Sequence, residues 1–297
     1  MYIYESAALL TAFCWAIGGM ISSRPAGYLG AIGFNCLRMW MVTAMLAVFA
    51  TIAGLWGTVD VSLATPIILS GFIGIFLGDT ALFLTLNRLG PRRTAIIYSI
   101  NAPMTVLLGW MVLDEALSMQ ALLGILVVFS GVVLAIVFGK RRAQLHHWEA
   151  VKGPIWIGLS FGFVAALCQA IGSILIRPVM DSGADPTAVA AMRCLIASMC
   201  LTIMMQLPWA AIKMQNKPTL RTLGRTALSG FVGMGLGMTL FLFALSGGEV
   251  GVITTLSATS PVLMLPVLWL LTKETPAVGA WIGAALVVLG CGLIFMD

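Results

Sequence analysis

Very few residues in the apolar stretches of this 297-residue chain can do chemistry, and three of those well inside the stretches carry charge: Asp79, Arg38 and Arg193. A charge at membrane depth is costly and by default marks a functional group. Asp79 is the one carboxylate placed deep in an apolar segment. An intramembrane aspartyl protease needs two such acids. A serine hydrolase needs a nearby histidine, and His146 and His147 both fall in a polar connector. No P-loop is present for nucleotide-driven work. The chemistry on offer is therefore charge pairing and solute recognition, without bond breaking, cofactor or metal. Counted at about 1.5 Å per residue, Arg38 and Asp79 lie at the same depth, roughly 12–14 Å from one end of their segments. That depth fits either a static tie between two helices or a gate that opens when Asp79 takes up a proton. Arg193 has no acid at its own depth. It has three outlets: snorkelling outward, pairing with Asp185 or Glu249, or attracting a solute carboxylate.

The second constellation surrounds two prolines in matching contexts, Ser99-Ile-Asn101-Ala-Pro103 and Ser257-Ala-Thr-Ser260-Pro261. A proline inside a helix frees the carbonyl four residues earlier, here those of Ser99 and Ser257. Proline-interrupted helices in corresponding positions of two halves point to a solute site near the bilayer midplane. The alternative is that neighbouring hydroxyls back-bond the freed groups and the prolines only kink. Candidate solute-binding residues around this centre are Trp15, Thr80, Phe83, Tyr98, Ser99, Asn101, Gln169, Ser173, Thr239, Phe243, Ser257 and Ser260. Asp79, Arg38, Pro103, Pro261 and Arg193 are the candidate gating or coupling residues. Neutral donors and acceptors mixed with aromatic rings suit a small zwitterionic or aromatic solute, whereas a phosphate would need several buried cations.

These residues must be positioned by membrane helices. Hydrophobic residues make up 60% of the chain, charged residues 9%, and mean hydropathy is +1.05, against about 25% charge in soluble domains. Ten segments are long enough to cross a bilayer core of about 30 Å. These spans, numbered one to ten in chain order, cover residues 5–23, 30–54, 65–87, 92–113, 119–138, 154–176, 186–208, 224–245, 250–272 and 277–296. The segment ahead of span one lacks a basic stretch, so it is expected to stay in the mature protein rather than act as a cleaved signal. All six cysteines fall within spans and are expected to be free thiols.

The ten spans read as one unit written twice. Gly71 to Thr80 returns as Gly230 to Thr239, and Glu115 to Gly131 returns as Glu274 to Gly290. Residues 1–139 and 154–297 form the two five-helix repeats, joined by a basic connector over 140–153. An odd number of helices per repeat makes the second copy enter the membrane upside down, with a pseudo-two-fold axis in the membrane plane. Of the 16 Lys and Arg residues, 13 fall in the connections after odd-numbered spans. The positive-inside rule puts those connections in the cytoplasm and both termini outside, in a multi-pass cytoplasmic (inner) membrane protein. The net charge of +5 thus reads as topology and lipid contact, not as a nucleic-acid surface. Lipid and a small solute are the expected partners, to a monomer or homodimer. Inverted repeats imply a secondary transporter working by alternating access. A channel would more often show a ring of charges or carbonyls repeated in a symmetric oligomer.

These features together resemble the drug/metabolite transporter superfamily, in particular its ten-helix EamA-like exporters. The carriers are the five-plus-five repeat, the glycine-rich spans three and eight, Pro103 and Pro261 in mid-span, and Glu115 and Glu274 before a Gly-punctuated span. The resemblance implies an all-α fold with a central cavity lined mainly by spans one, three, four, six, eight and nine. It also implies export of amino acids, drugs or other small metabolites, which leaves a metabolite exporter and a lipophilic-cation efflux pump both open. Many members place both ends in the cytoplasm, a pattern from which the charges of this chain depart.

Overall fold

The computed structural model describes residues 2–115, 117–138, 153–208, 213–263 and 277–296. Glu274, the two histidines and the connector over 140–152 lie outside them. Among the described residues nine helical stretches are long and apolar enough to cross a membrane, and a tenth, Val250–Leu263, is shorter.

The first repeat runs through α1 (Ile3–Leu29), α2 (Ala31–Ile52), α3 (Ala64–Ser70), a π-helical segment (Gly71–Leu77), α4 (Gly78–Tyr98), α5 (Asn101–Leu113) and α6 (Met119–Phe138). The second repeat comprises α7 (Ile155–Asp181), α8 (Pro186–Met204), α9 (Leu220–Gly230), a second π-helical segment (Phe231–Leu236), α10 (Gly237–Leu245), α11 (Val250–Ser257) and α12 (Val278–Phe295). Local chemistry sets several ends. The Asp185 carboxylate accepts from the Thr187 and Ala188 N–H groups, with Pro186 in the first turn of α8. The Thr219 hydroxyl caps α9. Between α1 and α2 the chain turns on Gly30 alone, at φ 80°, a conformation open to glycine without strain.

One expected loop proves helical: α1 continues through Arg24-Pro25 to Leu29. Spans three and four remain separate crossings, and the chain reverses between them within the stretch from Gly78 to Tyr98. A Cβ on Gly162 would meet both Thr85 and Ile97, which a straight helix would hold about 18 Å apart.

The repeats meet in a two-fold pattern that the close contacts of glycines make visible. A Cβ on Gly18 of α1 would come within 2.8 Å of the Cα of Gly233, and a Cβ on Gly172 of α7 within 2.7 Å of the Cα of Gly74. Gly18 and Gly172 are repeat equivalents, as are Gly74 and Gly233. Each repeat therefore lays its first helix on the π-helical segment of the other. The same exchange joins α6 and α12, where Gly124 faces the Gly290 carbonyl and Gly131 the Gly283 carbonyl. Backbones this close gain dispersion contacts that lipid does not supply.

Described connections of each parity meet one another. Asn216 donates to the Tyr28 carbonyl and Gly153 lies beside Arg88, which pairs basic connections with basic connections. On the opposite face, the Asp185 N–H donates to Thr58, Tyr4 packs on Phe243, and Tyr2 packs edge-on to Phe295. Both chain ends thus lie on the face opposite the basic connections, the terminal face.

Candidate functional site

Both π-helical segments end just before the residues that the sequence singles out, Asp79 and Thr80 in one repeat and Met238 and Thr239 in the other. A π turn inserts one extra residue per turn and rotates the helix beyond it, and such bulges gather at functional sites. In the first repeat the rotation brings Asp79 to Arg38 of α2, with Arg38 Nη2 3.2 Å from Asp79 Oδ2. The same nitrogen donates to Asn35 Oδ1 at 2.8 Å. The Phe34 and Phe83 rings flank the guanidinium at 5.5 and 5.7 Å. The pair expected from equal depth is present.

Arg193, the repeat equivalent of Arg38, makes the equivalent reach to a different partner. Its Nη1 lies 3.3 Å from the thioether sulfur of Met238, which stands where the first repeat has Asp79. Its Nη2 lies against Gly74, and its Nε has no hydrogen-bond partner among the described residues. The side chain is 2% exposed, so it does not snorkel. Asp185 is not its counter-ion either, because that carboxylate is spent on the N-terminus of α8. Among the described residues the acid that acts on Arg193 through space is Asp79 itself, which Arg38 already holds. Tyr98 and Cys194 lie within electrostatic reach of Asp79, and Cys168 within reach of Tyr98.

Around the prolines the helices break as anticipated, with turns at Ser99-Ile100 and Ala258-Thr259. The freed carbonyls are taken up locally. Ser99 O accepts from the Ala102 N–H at 3.3 Å, and Ser257 O accepts from the Ser260 hydroxyl at 3.0 Å. The Ser99 hydroxyl turns to Ile96 O, the Asn101 amide to Tyr98 O at 2.6 Å, and Ser257 Oγ to Ala8 O of α1. A hydroxyl thus takes up the freed carbonyl at the second break, whereas at the first a backbone N–H does so.

The remaining candidates scatter. Trp15 stacks on Phe241 at 5.5 Å and Phe243 on Tyr4 at the terminal face. Ser173 and Thr239 hydrogen-bond to carbonyls one turn back, those of Gln169 and Gly235. The Thr80 hydroxyl is buried without a partner beside Asp79. The charged centre therefore gathers Arg38, Asp79, Thr80, Phe83, Tyr98 and Arg193. Ser99, Asn101, Ser257 and Ser260 belong instead to the helix breaks.

One element escapes sequence reasoning. Both carboxylate oxygens of Glu115 reach the Val250 N–H that opens α11, at 3.1 and 3.0 Å. Arg177 binds the Leu245 and Gly248 carbonyls and pairs with Asp181. A Cβ on Gly251 would meet Val106 Cγ2 at 2.9 Å. The Glu115–Val250 and Val106–Gly251 contacts seal the broken helices of the two repeats against each other on the terminal face. Arg177 ties α7 to the α10–α11 connection within the second repeat. A negatively charged latch on a helix N-terminus is favoured by the helix dipole.

The fold and this charged centre frame the comparisons with known proteins. The profile of the EamA-like transporter family matches residues 3–137 and again residues 156–296, either side of the connector. The chain belongs to the EamA-like transporter family. An uncharacterized transporter of Archaeoglobus fulgidus is 26% identical over 256 residues, covering 86% of this chain and 84% of that protein. A solved crystal structure matches with a TM-score of 0.82 at 16% identity, covering 99% of this chain and 96% of the other, and shows the shared fold. The two matched stretches coincide with the two five-helix repeats.

Proposed function

We propose that this EamA-like transporter is a secondary transporter that exports a small metabolite of the amino-acid class by alternating access across the cytoplasmic membrane. The observation that carries the reading is the exchange of contacts between repeats. Gly18 meets Gly233 as Gly172 meets Gly74, so each repeat pivots on the other by the same surface. Two repeats related this way can swap conformations and open opposite faces in turn. The broken spans four and nine give the motion its bending points.

With the Glu115 latch closed on the terminal face, the charged centre retains partial access, since the Arg38 and Asp79 side chains are 12% and 19% exposed. That pattern suits a state open toward the basic connections, which the charge bias assigns to the cytoplasm. A cytoplasm-facing resting state fits a protein that collects its solute inside and releases it outside. Asp79 and Arg38 are the gating pair in this scheme, and Tyr98 and Phe83 offer ring surface to the solute.

Counterflow in proteoliposomes tests the reading. Vesicles loaded with a mixture of amino acids should take up a labelled member against its gradient, and protein-free vesicles should not. Saturable uptake of lipophilic cations with no amino-acid counterflow would replace the metabolite reading with a drug-efflux one. Non-saturating flux of both would indicate a channel.

A further inference from the structure

Repeat symmetry exposes a charge deficit in the middle of the bundle. Arg38 has its carboxylate, Asp79, at 3.2 Å. Arg193 occupies the matching position in the second repeat and finds Met238 there instead. Two guanidinium groups thus share one carboxylate, which leaves one net positive charge among the described residues of the cluster. Arg193 is almost wholly buried, and its Nε has no hydrogen-bond acceptor among the described residues. A buried cation with a thioether as its hydrogen-bond partner is badly compensated, because sulfur is a weak acceptor and carries no charge. We propose that Arg193 is the receptor for a single anionic group, a carboxylate, on the transported solute, and that this group takes the place held by Asp79 in the first repeat.

The surroundings define what fits. One net positive charge is balanced by one monoanion, whereas a dianionic phosphate would overcharge the cluster. The guanidinium fork matches a carboxylate in two-point geometry. The Arg193 Nη2 lies against Gly74, where the absence of a side chain leaves the guanidinium close to the π-helical backbone. The Met238 thioether is flexible enough to give way to an incoming oxygen. Lipophilic cations would be repelled from such a centre. The assignment rests on the transporter reading only in making the anion part of a transported solute.

Benzoate and benzylamine, of the same size and opposite charge, are suitable probes. Thermal unfolding of the purified full-length protein in detergent, monitored by tryptophan fluorescence, should shift upward and saturably with sodium benzoate and not with benzylamine hydrochloride. Arg193→Gln should weaken the benzoate response at least about tenfold, the loss expected for a charge-assisted hydrogen-bond pair. Met238→Asp supplies the missing carboxylate in place, so it should raise the unfolding temperature without ligand and abolish the response to benzoate. This second variant keeps the test decisive if Arg193→Gln does not fold. Absence of any benzoate response in the unaltered protein, an undiminished response in Met238→Asp, or destabilisation by that substitution would overturn the assignment. Benzoate binding that depends on Arg193 without counterflow would contradict transport alone, and amino-acid counterflow without benzoate binding would contradict the anion receptor alone.

Discussion

Removing the Glu115 carboxylate should unlatch the terminal face. Its two oxygens reach the Val250 N–H at 3.1 and 3.0 Å, at the unsatisfied start of α11. A hydrogen bond to a charged group contributes about 1.5–3 kcal/mol, and an anion at a helix N-terminus about 0.3–1 kcal/mol more. Glu115 is partly exposed, so solvent screening brings the net to about 1–2 kcal/mol. Glu115→Ala should then raise the population of molecules open on that face about 5- to 30-fold. Thr254 lies one turn deeper on α11 and is 2% exposed. In a background with the six native cysteines replaced, Thr254→Cys reports that opening through its rate of reaction with a membrane-impermeant maleimide. The rate should rise by the same factor in Glu115→Ala and by less in Glu115→Gln, which keeps an acceptor without the charge. Equal rates in all three, with the protein shown to be folded, would refute the latch.

Two further outcomes are expected from the packing and the charges. Gly172→Ala should lower stability by about 1–3 kcal/mol, because its Cβ would sit 2.7 Å from the Gly74 Cα, whereas Gly19→Ala, with nothing within 4 Å, should melt like the unaltered protein. Asp79→Asn keeps the size of the side chain but leaves Arg38 and Arg193 without their shared counter-charge, so it should cost about 3–5 kcal/mol. In proteoliposomes with an imposed pH gradient it should also lose any proton-driven component of flux, and a full pH response retained in this variant would remove Asp79 as the coupling group.

Much of this architecture is legible in the sequence, and the boundary is physical. Hydropathy and charge bias report each segment's own solvent preference, so the spans, the repeat and the sharing of one face by the basic connections can be read from local composition. Proline acts on its own turn, and the breaks at Ser99 and Ala258 are where Pro103 and Pro261 put them. Equal depth predicts the Arg38–Asp79 pair. The features that escape depend on contacts across the bundle or on small shifts of register. The two π segments change the pitch by one residue and leave no hydrophobic signature. Glu115 reads as the end of a helix, and only the approach of α11 from the other repeat makes it a latch. The outlets that the sequence leaves to Arg193 point outward or to a solute, because nothing in the sequence shows that helix packing seats it against Met238. The hydroxyls and amide near the prolines read equally well as solute ligands or as caps, and the geometry uses Ser99, Asn101 and Ser260 as caps.

A disulfide across the sealed helices tests alternating access most directly. Val106 and Gly251 face each other at the terminal face, close enough for a cysteine pair to bridge. With the native cysteines replaced, Val106→Cys/Gly251→Cys should support amino-acid counterflow when reduced. It should lose that activity on complete oxidation and regain it with dithiothreitol. Undiminished counterflow with every molecule cross-linked would mean that solute crosses without the two repeats exchanging states.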